Sequence, residues 1–161
     1  MQAFDASSMI HAWDNYPIDQ FPPLWTWLRD EIVAQRLAIA VVALEEVGHK
    51  VPDCAAWLRA QGIRRLEITG AILTEAMRIK GLLGIVNDQY SPKGVDENDL
   101  LIIAAAKING RELVSNEARQ LALPQTVANY KIPAVCGMNT VQLACIDFLG
   151  YLRRSRAVYV G

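Results

Sequence analysis

Short apolar runs and longer stretches of helical periodicity take turns along this chain. "QAFD" (2–5) is an apolar run closed by Asp5 and predicts a first strand. "ASSMIHAW" (6–13) opens a helix, with Ser7 or Ser8 as its cap. "NYPIDQFPP" (15–23) is broken repeatedly by proline and reads as a loop. Pro23 suits the first turn of the helix "PLWTWLRDEIVAQ", whose Leu24, Trp27, Leu28 and Ile32 recur at helical spacing. "RLAIA" (36–40) predicts a buried strand and "VVALEEVGHK" (41–50) a short helix. Pro52 starts the helix "PDCAAWLRAQ", and Gly62 stops it. "RRLEIT" (64–69) reads as a third strand. "GAILTEAMRIKGLLG" (70–84) reads as a helix with Ile72, Ala76, Met77 and Ile79 near one face. After the loop "NDQYSPKG" (87–94), a helix from about Glu97 to Lys107 turns at "ING" and leads into the strand "ELVS" (112–115). "IPAVC" (132–136) is expected as a fifth short strand, and Asn139 or Thr140 as the cap of a last helix, "VQLACIDFLGYLRR".

Strands alternating with helices predict an α/β protein. The expected form is a three-layer α/β/α sandwich around a central, mostly parallel sheet of four to five strands. With 161 residues, the chain suits a single domain over 1–161 with one core. In such sheets ligands bind outside the carboxyl ends of the strands. The residues just past each strand are therefore the candidates for chemistry.

Those residues are acids. Asp5 ends the first strand, Glu45 and Glu46 follow the second, Asp99 opens the helix before the fourth, and Glu117 lies just beyond it. Parallel strands bring these distant positions to one edge of the sheet. Carboxylates crowded within about 4–6 Å repel one another, and a divalent cation relieves that. An oxygen-only donor set without His or Cys suits Mg²⁺ or Mn²⁺, and acids with such a metal point to phosphodiester or phosphoryl chemistry. Each acid also has a structural alternative. Asp99 is placed to favour a helix dipole, Glu117 to start the next segment, and Glu45 and Glu46 to form a solvated pair. Asp5, directly after a buried strand, is costly for a purely structural position.

Charge narrows the picture further. The formal net charge of −1 excludes holding nucleic acid by bulk attraction, so any such contact uses a local patch or a metal. "RRSR" (153–156) and Arg64–Arg65 are the basic clusters, readable also as solvated helix ends. The cysteines Cys54, Cys136 and Cys145 are odd in number and lack CxxC spacing, which favours small core residues in a reducing cytoplasm over a disulfide framework. The first residues lack the features of a signal peptide, and the apolar runs fall far short of the ~20 residues of a membrane span. His11 is expected on a polar helix surface and His49 at a helix end.

Taken in order, these motifs resemble the PIN domain, the fold of VapC-type toxin ribonucleases and related metal-dependent nucleases. "FDASSMI" is similar to the strand-ending Asp followed by a small polar residue, with Ala6 in the second place. "LEEV" supplies the Glu followed by an aliphatic residue, best as Glu46-Val47, with Glu45 second. "DLLIIAAA" resembles the helix-opening third acid, Asp99. "LVSNE" resembles the fourth, with Ser115 for the usual Thr and Glu117 for the usual Asp. The resemblance covers nearly the whole chain. It implies a Mg²⁺- or Mn²⁺-dependent endoribonuclease in which Asp5, Glu46, Asp99 and Glu117 are catalytic and metal-holding. Ser7 and Ser115 would bond a carboxylate or a phosphate oxygen, and a metal-activated water would hydrolyse the RNA phosphodiester. It also implies the toxin of a toxin–antitoxin pair, an antitoxin protein as partner, and a homo-oligomer. The alternative is a catalytically weak PIN-like module acting through a protein or RNA partner, with Trp13, Trp25 and Trp27 either as its apolar patch or as core. A haloacid-dehalogenase-like phosphatase wants a second Asp where Ser7 stands, and a receiver domain wants an early acidic pair and a late Lys. Neither pattern is present.

Overall fold

The computed structural model describes residues 1–160. Five short strands form one sheet: β1 (Gln2–Phe4), β2 (Leu37–Ala40), β3 (Arg64–Leu66), β4 (Glu112–Val114) and β5 (Cys145–Ile146). Every neighbouring pair is parallel, and the order is β3-β2-β1-β4-β5. Eight helices flank the sheet: α1 (Ala6–Asn15), α2 (Pro22–Val33), α3 (Val41–Lys50), α4 (Pro52–Ala60), α5 (Gly70–Leu82), α6 (Glu97–Ile108), α7 (Ile132–Cys136) and α8 (Phe148–Ser155). The α/β class with a parallel sheet is thus as the sequence predicts.

Burial follows from the strand sequences. All four residues of β2 are buried, as a strand covered on both faces requires. The oily α6 buries Leu100, Ile102, Ile103, Ala104, Ala105 and Ala106, almost its whole circumference. Its alanines allow close approach to α3, α5, β2 and β4. Each large apolar side chain so buried contributes about 1.5–3 kcal/mol. Gly62 ends α4 with φ of +71°, a left-handed conformation that favours glycine. Gly94 presses on the carbonyl of Ala128 where any Cβ would collide, and Val95 N–H donates to the carbonyl of Tyr130 at 3.1 Å. Together they hold the entry to α6 in place.

Several local expectations are corrected. "IPAVC" is a helical turn, α7, with Pro133 in its first turn, rather than a strand. The fifth strand is Cys145–Ile146, inside the stretch read as the last helix. That helix begins only at Phe148, and its cap is Asp147, whose carboxylate accepts from Gly150 N–H at 2.7 Å, not Asn139 or Thr140. On α2 the core face carries Trp25 while Trp27 is half-buried, and on α5 Met77 points outward at 64% exposure. Neither Ser7 nor Ser8 caps α1. The N-cap position is Asp5, and Ser8 donates to the carbonyls of Asp5 and Val114 at 2.7 and 2.8 Å. No described helix is long and apolar enough to cross a membrane.

Candidate functional site

The strand order decides where a crevice opens. From β1 the chain winds outward to β2 and β3, then crosses over and continues as β4 and β5 on the other side. The reversal falls between β1 and β4, and parallel sheets bind ligands at the carboxyl ends of the strands there. Phe4 is level with Ile39 and Val114, so the residues that leave the sheet together at this point are Asp5 and Ser115.

Asp5 is only 2% exposed, yet it enters no ion pair among the described residues. Its Oδ2 accepts from Ser7 Oγ at 2.5 Å and from Ser115 Oγ at 3.0 Å. Each serine is fixed in turn by a backbone N–H. Asn116 donates to Ser7 Oγ at 2.9 Å, and Glu117 donates to Ser115 Oγ at 3.2 Å. Burial raises the Asp5 pKa above the usual carboxylate range; the two hydroxyls and the N–H groups of Ala6 and Ser7 offset part of that rise. The cost that the sequence suggested for this position is therefore present, and two serines oriented by the backbone moderate it.

The other acids converge on Asp5 from separate elements. Glu46 is half-buried on α3 while Glu45 is exposed, so the inward-facing member of the pair is Glu46. Burial raises the Glu46 pKa, Asn98 lowers it through a hydrogen bond, and the charges of Asp5 and Asp96 raise it again. Asp99 sits in the first turn of α6 and has two tasks. Its Oδ2 accepts from Asp96 N–H at 3.0 Å, while Asp96 Oδ1 accepts from Asp99 N–H at 2.9 Å, which makes a reciprocal capping box. The same carboxyl is pushed up to about 8, chiefly by burial, with the charges of Asp96, Asp5 and Glu117 adding to the rise. Glu117 lies just past β4 and is half-buried, its backbone tied to Ser115.

The charge of Asp5 thus reaches both Glu46 and Asp99, and that of Glu117 reaches Asp99. Yet among the described residues no three Asp, Glu, His or Cys side chains are drawn together into a ready ligand group. Crowded carboxylates repel one another and are costly to desolvate, and both effects oppose such a cluster. Sequence reasoning missed Asn98, which eases the charge on Glu46, and Asn116, which links Ser7 to the Phe148 N–H through its own Oδ1 at 3.0 Å. Asp96 is the N-cap of α6, and its Asp-x-x-Asp spacing to Asp99 is a legible sign of a capping box. His11 packs beside Tyr16 and Phe148 with its Nδ1 3.2 Å from Asn15 Nδ2, and His49 is exposed in the last turn of α3.

A parallel sheet in this order, flanked by helices, is a PIN-like fold. The same fold occurs in the crystal structure of VapBC2 from Rickettsia felis bound to a DNA fragment from the promoter. One of its chains matches with a TM-score of 0.51 at 15% identity, over 81% of this chain and 96% of that one. At that identity the likeness establishes the fold. The particular family is given by the sequence: residues 3–159 match the Domain of unknown function (DUF4411), and the chain belongs to that family. No curated protein matches it.

Proposed function

We propose that this protein is a metal-dependent ribonuclease of the PIN type, the toxin of a toxin–antitoxin pair, that hydrolyses RNA phosphodiester bonds in the cytoplasm. The observation that carries the reading is Asp5: a carboxylate buried at the switch point, held by two serine hydroxyls, in no ion pair among the described residues, and within electrostatic reach of Glu46 and Asp99. A folded protein keeps such a repulsive arrangement where a positive charge is expected to join it.

The donor set fits a hard divalent ion. Asp5, Glu46, Asp99 and Glu117 offer only oxygen, which suits Mg²⁺ or Mn²⁺. When bound, such an ion lowers the pKa of a coordinated water and neutralises charge on a phosphate oxygen. The protein's own contribution is orientation. Ser7 and Ser115 fix the rotation of the Asp5 carboxyl, Asn98 eases the charge on Glu46, and the capping box holds one Asp99 oxygen. An antitoxin protein is the expected partner, and the protein is expected to self-associate. The second reading, a catalytically weak module acting through a protein or RNA partner, rests on the spread of the acids, which do not form a ready ligand group.

The test is cleavage of labelled single-stranded and structured RNAs with Mn²⁺, Mg²⁺ or EDTA. Cleavage that requires metal and drops by about a thousandfold in Asp5→Asn supports the ribonuclease. Asp5→Asn cutting as well as the parent protein would sink it.

A further inference from the structure

All three cysteines are free thiols, and two of them meet. Cys136 closes α7 and Cys145 opens β5, and the helix lies against the strand. The Cys136 S–H donates a hydrogen bond to the Cys145 sulfur. The segment between them is ordered by its own backbone. Leu143 N–H returns to the Cys136 carbonyl at 3.0 Å, and the N–H groups of Val141 and Gln142 donate to the Met138 carbonyl at 2.9 and 2.8 Å. Lys107 of α6 ties the same segment from outside by donating to the Val141 carbonyl. The fold therefore holds the two sulfurs side by side, and bonding them asks for little movement of the chain.

The thiols differ in what they can do. Cys145 is half-buried, whereas Cys136 and Cys54 are buried. The hydrogen bond from Cys136 lowers the Cys145 pKa; burial opposes this, and the Arg119 guanidinium, which donates to the Cys145 carbonyl at 2.9 Å, lowers it further. Cys136, which gives that bond away and is buried, is raised. Burial pushes the Cys54 thiol up to about 12. An attacking thiol, a resolving thiol in contact with it and an inert third thiol thus stand in one chain.

The strand that carries Cys145 is the weakest of the sheet. β5 is two residues long and lies at an edge. It is held to β4 by Leu113 N–H on the Ala144 carbonyl and Ser115 N–H on the Ile146 carbonyl, both at 2.9 Å. Ser115 is the residue whose hydroxyl reaches Asp5. An edge strand this short opens readily unless something ties it down.

We propose that Cys136 and Cys145 are a redox modification site, closed by hydrogen peroxide into a reversible disulfide that clamps β5 and so steadies the backbone of Ser115. The Cys145 thiolate attacks one peroxide oxygen, the O–O bond breaks, and the departing hydroxide is protonated to water. The Cys136 sulfur then attacks the Cys145 sulfenic acid, the S–O bond breaks, and the oxygen leaves with the Cys136 proton as a second water. The peroxide gains the two electrons that the sulfurs lose, and a dithiol reductant restores both thiols. The proposal stands apart from the ribonuclease reading and needs neither metal nor RNA.

The protein is treated with hydrogen peroxide, alkylated in denaturant and mapped by peptide mass. The expected product is an intramolecular Cys136–Cys145 link, two hydrogen atoms lighter, with Cys54 still alkylated and the link reversed by dithiothreitol. In the oxidised protein the Ser115 amide should exchange its hydrogen roughly tenfold more slowly than in the reduced protein. Cys136→Ser should leave Cys145 as a sulfenic acid that dimedone captures, and Cys145→Ser should leave Cys136 unmodified at the same peroxide dose. Cys136→Ala replaces Cys136→Ser if the hydroxyl lowers the melting temperature. Both thiols still alkylated after peroxide, a link through Cys54 or between two molecules, or a disulfide that leaves Ser115 exchange unchanged would overturn the proposal.

Discussion

The two ends of the sheet handle charge in opposite ways. At the amino end, Arg111 is buried to 4% exposure, yet its guanidinium donates to the carbonyls of Gln2 and Arg36, both at 3.2 Å, and of Gln35 at 3.3 Å. Beside it Glu112 pairs with Arg154 and accepts from Gln2. Arg111 and Glu112 thus both have partners there. At the carboxyl end, Asp5, Glu46, Asp99 and Glu117 enter no ion pair among the described residues. Both ends bury ionisable groups, but only one leaves their cost standing. The difference separates charges that hold a fold together from charges held in place by the fold, and the latter are where chemistry is expected.

Substitutions at the two ends should therefore move stability in opposite directions. The largest effect belongs to Arg111→Ala, which strands three carbonyls and opens a cavity. It should cost about 3 kcal/mol, a fall of roughly 6–12 °C in melting temperature by calorimetry. An unchanged Tm would show that the amino end is no better satisfied than the other. Next is Mn²⁺ itself. At a hundredfold excess over its Kd, a bound ion adds about 2.7 kcal/mol to the parent protein. The same thermal titration of Asp5→Asn should stay flat; equal gains in both proteins would place the ion elsewhere.

Asp99→Asn should act with the opposite sign to Arg111→Ala. Unfolded, the Asp99 carboxyl loses its proton near 3.8; folded, it keeps it to about 8. Between those values the folded state binds the extra proton, so stability falls as pH rises through that window and levels off above it. Asparagine keeps an acceptor for Asp96 N–H without the charge. The metal-free variant should melt higher than the parent at pH 8, by an amount on the order of 2 kcal/mol, and the advantage should fade toward pH 4. A variant less stable at every pH would mean that the cap dominates. Smallest is Glu112→Gln, which loses a pair whose arginine is half-exposed and should cost about 1 kcal/mol or less in urea unfolding.

Much of this arrangement is legible in the sequence because its signals are local. Asp5 after "QAF" and Asp99 before "LLIIAAA" are visible as acids at the boundaries of apolar runs, and those boundaries fall at the edge of the sheet. What escaped depends on partners distant in the chain or on elements too short for periodicity. "IPAVC" has the length and branching of a strand, but Pro133 suits a first helical turn, and five residues do not discriminate. β5 is two residues long and is defined by pairing with β4, so the surrounding apolar stretch hid it. Asn98 and Asn116 acquire roles only when the fold brings Glu46 and Phe148 to them. The tryptophans divide: Trp25 is core and donates its indole N–H to the Tyr16 carbonyl at 2.7 Å, while Trp13 and Trp27 pack half-buried against it and against Tyr151.

The capping box at the start of α6 has a consequence for how descendants of this sequence would be compared. Asp99 caps its helix as well as standing in the candidate site, so a lineage without the proposed chemistry would still be under selection to retain it. Its persistence in a relative would report a helix start and nothing about activity. Asp5 closes no such reciprocal box with its own helix; the N–H groups of Ala6 and Ser7 only ease its charge. An exchange there would be the earlier mark of a copy that had kept the shape without the proposed reaction.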